Sequence, residues 1–290
     1  MTSQITKRAH FVPASYLQFW SCTGVPEGRK SKIYWTNGDT TNLVKVEKIA
    51  HQNFLYSRTN PNAAEEFFQE FETDWVKFVK RLVEGKLPSK KVTYANFLLQ
   101  CGFLLLRNPK MDNASDDDRI DVYKSVIEVF FKAVILNQSV PPTKEEALEQ
   151  ISEIWDMRFV QSKGEKWITS DNPVLTLAYK EAVPIIIFIP VTPQYGFLAV
   201  KRTAFLLGEA EFSEQDCRFL NSYVAMNVNR QIYSSDPIEC DDIKSFKKWI
   251  DRRPSTKNYI DHDVIHIEPF NYPIGGMELS ALTRAGAEED

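Results

Sequence analysis

What this chain lacks narrows its class before any motif is read. Its 290 residues include only 11 glycines, none spaced as G-x-G, so no dinucleotide fingerprint is present, and no Walker-type phosphate loop occurs either. H-E-x-x-H, G-x-S-x-G and zinc-knuckle spacings are also absent, which removes the sequence-marked zinc and serine hydrolases. Cysteine is scarce. Four residues (Cys22, Cys101, Cys217 and Cys240) show no paired spacing, and Cys101 lies inside an apolar segment, which fits reduced cytoplasmic thiols better than a disulfide framework. No uncharged apolar stretch is long. Phe97–Leu106 and Ala182–Val191 fall well short of the roughly 20 residues that span a bilayer, and residues 1–8 lack the apolar core of a secretory signal, so no membrane partner is expected. Nor is there a charge excess: 35 basic residues face 39 acidic ones, and a net charge of −4 gives no global attraction for polyanions.

What is present is ordinary globular material, 43% hydrophobic and 26% charged, enough for one large domain or two small ones. Short β-like runs open the chain. Lys32–Trp35 precedes Asn37-Gly38, and Leu43–Val46 follows, which predicts a hairpin. Asn53–Tyr56 reads as a further strand. After Asn60-Pro61 the period changes: Phe67, Phe68, Phe71, Trp75, Phe78, Val79 and Leu82 recur at helical spacing until Gly85. A second helix, about Lys91 to Leu106, is apolar nearly all round and should be central. It must end near Pro109. Ser115 and Asp116–Asp118 read as the cap and first turn of a third helix, because adjacent helical carboxylates do not face one another as metal ligands would. Thr143-Lys144-Glu145-Glu146 is a capping box for a fourth helix to about Ile154.

Strand signals return at Trp155–Gln161, Lys166–Thr169, Ile185–Ile189 and Tyr195–Val200. A capping box at Ser213–Asp216 then opens a helix through the Leu220–Arg230 region. Asp241 caps another, through Trp249, and Val264–Glu268 reads as a last strand. Segregation of strands from helices predicts an α+β fold. One mixed or antiparallel sheet is built from residues 1–60 and 155–272, about four helices between them (61–154) form a layer of the same domain, and 273–290 is a flexible tail.

Several polar clusters carry candidate chemistry. His10, in His-Phe-Val-Pro-Ala-Ser-Tyr-Leu, is either a general base or acid or a histidine that seats the N-terminal strand. Ser170-Asp171-Asn172-Pro173 ends a β-type run; such junctions expose functional side chains, and the same residues also build Asx turns. Arg107, at a helix end, either complements the dipole or clamps a phosphate or carboxylate. Asn221, Asn227 and Arg230 are polar on an otherwise apolar helix, with Asn227 and Arg230 neighbours on one face. His262, His266 and Glu268 would share a strand face, a metal-ligand inventory at a spacing that matches no specific site, so no metal ligands are assigned.

The opening His-x-Val-Pro-x-x-Tyr-Leu (His10, Val12, Pro13, Tyr16, Leu17) and the Ser170–Pro173 motif resemble those of a widespread microbial domain family of unknown function. Phe54–Tyr56, Glu65–Glu72, Arg107–Pro109, Pro190–Pro193, Asn221 and the Asn227–Tyr233 stretch fit the same pattern, over about residues 8 to 235. The resemblance implies that these separated motifs belong to one architecture and that His10, Arg107 and Asp171 converge in a pocket. It also implies an accessory or defence role. The expected function is then a cytoplasmic phosphodiester hydrolase, a nuclease or nucleotide hydrolase. In it His10 and Asp171 are catalytic, Asp171 orienting His10 or holding a divalent cation. Arg107, Ser170, Asn172, Asn227 and Arg230 bind substrate. The alternative is a non-catalytic module that recognises a ligand or a protein through the same pocket. Expected partners are nucleic acid or nucleotide, or a protein.

Overall fold

The computed structural model describes residues 8–10, 12–53, 61–106, 143–179, 186–203, 205–207, 212–239, 244, 264–267 and 277–279. The expected third helix from Ser115, the Asp241 helix and Phe54–Tyr56 lie outside these residues. The fold is α+β, with helices and largely antiparallel sheets segregated along the chain. None of the described helices is long and apolar enough to cross a membrane.

Three helices form where the spacing predicts them. α2 (Pro61–Val83) starts at its proline and buries Trp75, Val79 and Leu82 along one stripe; Gly85, at φ 75°, closes it in the left-handed region that glycine tolerates. α3 (Lys91–Leu106) lies against α2, the helix Lys144–Ile154 and the strand Trp155–Gln161, with Phe97, Leu98 and Cys101 fully enclosed. α4 (Lys144–Ile154) carries the complete capping box. The Thr143 hydroxyl accepts the Glu146 N–H, and the Glu146 carboxylate accepts the Thr143 N–H. The turn α1 (Ala14–Leu17) follows Val12-Pro13 and sinks Tyr16 and Leu17 into the core. α5 (Glu214–Met226) opens on the reciprocal Ser213–Asp216 box and stops at Met226, four residues short of Arg230.

The strands divide among separate ladders rather than one continuous sheet. β1 (Arg8–His10) pairs with β4 (His51–Asn53), setting His10 opposite His51. The hairpin β2 (Lys32–Thr36) and β3 (Thr41–Lys45) closes over a four-residue loop. In it the Asn37 side chain accepts the N–H groups of Asp39 and Thr40, and Gly38 takes φ 90°. β2 then accepts β11 (Ile232–Ser234), which accepts β6 (Thr169–Ser170), giving the order β3-β2-β11-β6. This four-stranded sheet is the place where the two ends of the chain unite.

The second sheet, β12-β7-β8-β9-β5, comes from the later part alone. Its strands are β5 (Trp155–Gln161), β7 (Leu175–Tyr179), β8 (Ile186–Pro190), β9 (Tyr195–Lys201) and β12 (Val264–Ile267), the last parallel to β7. A small ladder joins β10 (Phe205–Leu207) to β13 (Met277–Leu279), so a strand sits where the sequence reads as a tail. Phe97 of α3 packs on Trp75, Phe159 and Phe197, joining the helical layer to this sheet.

Two side chains tie the parts together. The buried Tyr16 hydroxyl bonds the Pro190 carbonyl on β8 and the Thr169 hydroxyl on β6, so one phenol bridges both large sheets. Asn221 of α5 accepts the Ile168 N–H at 3.0 Å and donates to the Lys166 carbonyl at 2.9 Å. That amide takes the place of a neighbouring strand, which is why the expected Lys166–Thr169 strand shortens to Thr169–Ser170.

Candidate functional site

Two polar assemblies stand out, and each draws on a different part of the sequence motifs. The first is built at the end of β6. The Ser170 hydroxyl accepts the Asn172 N–H at 3.1 Å and donates to the Asn172 carbonyl at 2.9 Å, closing a tight turn. Asp171 then faces the loop after α5. One carboxylate oxygen accepts the Asn229 N–H at 2.8 Å, and the other accepts those of Arg230 at 2.7 Å and Gln231 at 3.2 Å. Its own N–H donates to the Gln231 carbonyl. The Asn172 amide donates to Asn227, whose amide in turn donates to the carbonyls of Asn172 and Val174.

Ser170, Asp171, Asn172 and Asn227 are therefore brought together, and all four are buried. A carboxylate has about four acceptor sites. Three of those of Asp171 hold backbone N–H groups of one loop. Arg230 joins through its main-chain N–H, and its side chain is exposed. This assembly ties β6 to the chain that leads into β11. The nearby Tyr233 hydroxyl is pushed well above its usual range by burial and by the Asp171 charge.

The second assembly surrounds His10. A cavity of about 220 Å³ is lined by His10, Ala14, Ser15, Gln18, Gly28, Arg29 and Glu72. Five elements supply these groups: β1, the α1 turn, the short helical turn Gln18–Trp20 that continues it, the one at Gly28–Lys30, and α2. Gly28 adopts φ 60°, a backbone position closed to most side chains, and so sets the turn that presents Arg29. The Ser15 hydroxyl donates to the Glu72 carboxylate at 2.7 Å, and the Gln18 amide donates to the Ser15 carbonyl at 2.9 Å. The His10 and His51 rings meet edge-on, 5.8 Å apart.

Burial lowers the His10 pKa to about 4, helped by the positive fields of Arg29 and His51 and opposed by Glu72 and a bond to the Val46 backbone. The imidazole is thus neutral at ordinary pH. The wall combines a neutral ring, a guanidinium and a hydroxyl held by a carboxylate. Such a set can accept a proton, neutralise an anion and orient a small polar group.

Of the three residues expected to share a pocket, His10 lines this cavity, Asp171 is not part of its wall, and Arg107 lies outside the described residues. Among the described residues no three His, Cys, Asp or Glu side chains gather as a metal site. His262 and Glu268 lie outside the described residues.

Ser15, Gln18, Arg29, His51 and Glu72 carry no separate signal in the sequence reading. Ser15 does fall inside the opening motif, Gln18 directly follows it, and Glu72 ends the Glu65–Glu72 stretch. Arg29 sits in an unpatterned turn, and only the fold brings it to His10.

Comparison with known proteins adds one finding. Residues 8–237 match the model of a family described as "Protein of unknown function (DUF4238)". No curated protein and no solved structure matches the chain.

Proposed function

We propose a reaction for a chain that belongs to this family of unknown function: hydrolysis of a phosphodiester, by a nuclease or nucleotide hydrolase working in the cytoplasm in a microbial defence or accessory role. The observation that carries the reading is the neutral His10 imidazole sharing one cavity with Arg29 and the Ser15–Glu72 pair. A phosphoryl group there would meet the Arg29 guanidinium as its counter-charge. His10 would take a proton from an attacking water, and the carboxylate-held Ser15 hydroxyl would orient that water. The cavity is smaller than the roughly 300 Å³ lower bound typical of whole-ligand sites, so it suits the scissile phosphate with the rest of the substrate outside. Entry of that anion raises the His10 pKa toward the working range, because a nearby negative charge favours imidazolium.

The test is turnover of bis(p-nitrophenyl) phosphate, single-stranded DNA, RNA and nucleoside triphosphates, with and without magnesium or manganese. His10→Ala is expected to lose about 10²–10⁴-fold in rate, and Arg29→Ala about 10²-fold or more. The acid limb for free protein should fall near the depressed His10 pKa of about 4 rather than 6.5. Equal rates for wild type and His10→Ala would overturn the proposal. Glu72 on the same wall favours a second reading, a non-catalytic module, since its carboxylate repels phosphate. In that case calorimetry detects ligand binding without turnover.

A further inference from the structure

A second cavity, of about 200 Å³, lies between α2 and α3, away from His10. At about 100° per residue, Glu72 falls on one side of the buried Trp75–Val79–Leu82 stripe, and Phe78 and Arg81 fall on the other. The two cavities therefore flank α2 rather than merge. One wall of the second cavity carries Lys77 and Arg81, one turn apart, and Asp74, which pairs with Lys77 at 3.5 Å and leaves Arg81, among the described residues, as the unpaired cation of that wall. The facing wall carries Asn96 and Gln100, also one turn apart, with the half-buried Phe78 ring below.

Charge concentrates beside this cleft. From Lys77 to Lys91 six residues are basic (Lys77, Lys80, Arg81, Lys86, Lys90, Lys91) and one, Glu84, is acidic, in a chain of net charge −4. All six are exposed. Lys77 and Lys86 reach Asp74 and Glu84. Among the described residues Lys80, Arg81, Lys90 and Lys91 form no ion pair.

We infer that the α2–α3 cleft and its basic tip bind a single-stranded polynucleotide, with phosphates on Lys77 and Arg81 and base edges on Asn96 and Gln100. Opposed rows of cations and amides match the alternation of phosphate and base along one strand. The cleft admits a nucleotide portion and excludes a duplex, and the cations that continue past it suit a polymer rather than a lone anion. A lipid surface would meet the exposed Val83, Leu87 and Val92 at the tip but could not enter between the helices to reach Asn96 and Gln100.

The experiment measures anisotropy of labelled oligonucleotides of about 12 residues with the full chain, from about 50 to 200 mM salt. Wild type should bind single strands more tightly than duplex. Lys77→Ala with Arg81→Ala should weaken binding at least roughly tenfold and reduce the log–log salt slope by about 1.4, the effect of two lost phosphate contacts. Asn96→Ala with Gln100→Ala should weaken binding without changing that slope, since neutral amides release no counterions. Thermal melts confirm that both double variants, exposed at Lys77 and Arg81 and half-buried at Asn96 and Gln100, leave the chain folded.

Wild-type failure to bind, or an unchanged slope in the cation variant, overturns the inference. So does tighter binding to phosphatidylserine vesicles that Leu87→Asp abolishes. The cleft does not depend on His10 chemistry: loss of turnover without loss of binding in His10→Ala separates the two sites, and inactivity of wild type on phosphodiesters leaves the binding test intact.

Discussion

Replacing Asp171 by asparagine separates scaffold from chemistry at the Ser170–Pro173 motif. One carboxylate oxygen holds two N–H groups and the other holds one. An amide retains the paired position with its oxygen and turns its NH2 toward the Asn229 N–H, so donor faces donor. A hydrogen bond to a charged group is worth about 1.5–3 kcal/mol, and a buried donor left unmade costs about 1–3 kcal/mol. With the remaining two bonds weakened by loss of charge, the expected cost is about 2–4 kcal/mol. At this chain length that lowers the melting temperature by roughly 3–7 °C. Urea unfolding gives the free energy, and hydrolysis per folded molecule gives the function. The scaffold role predicts a large stability loss with activity retained below the new transition. A stability loss under about 0.5 kcal/mol together with a hundredfold loss of turnover would refute it.

Three further outcomes follow from the described contacts. Tyr16→Phe strips the bridge between the two sheets, leaves the Pro190 carbonyl and Thr169 hydroxyl without that partner, and should cost about 1–3 kcal/mol in urea unfolding. Gly196→Ala places a methyl 2.5 Å from the Phe188 ring in β8 and should destabilise by about 1–3 kcal/mol, read as a shift in urea midpoint. His10, with a folded pKa near 4 against an ordinary 6.5, binds fewer protons folded than unfolded. Stability should therefore be flat above about pH 6.5 and fall as pH drops toward 4, by up to about 3 kcal/mol, and His10→Gln should flatten that window in a pH series of melts.

Much of the helical layer was legible because each signal is local. The Thr143 and Ser213 boxes name their own helix starts, and the Trp75–Val79–Leu82 spacing marks the buried side of α2 without knowledge of what covers it. β5 and β9 were legible as strands for the same reason. β7 carries no such local signal: Asn172-Pro173 reads as a turn, and what makes Leu175–Tyr179 a strand is pairing with β8 and β12. The direction in which a side chain points was not legible either. Asp171 looks the same on paper whether its carboxylate meets a substrate or three backbone N–H groups. Arg29 acquires meaning only because Gly28 bends its turn toward His10 of β1.

The pairing of Tyr34 with Ser234 in the four-stranded sheet carries a kinetic consequence. A chain emerging from the ribosome at about 5–20 residues per second delivers β2 and β3 roughly 10–40 s before β11 exists to cover the free edge of β2. Closing a loop of that length costs on the order of 5 kcal/mol in chain entropy, which local hairpin formation does not offset. The N-terminal hairpin therefore waits, with one row of backbone groups open, until nearly the whole matched family region has been synthesised. Folding should be slow and post-translational, and fragments that stop before residue 232 should present that open edge to one another.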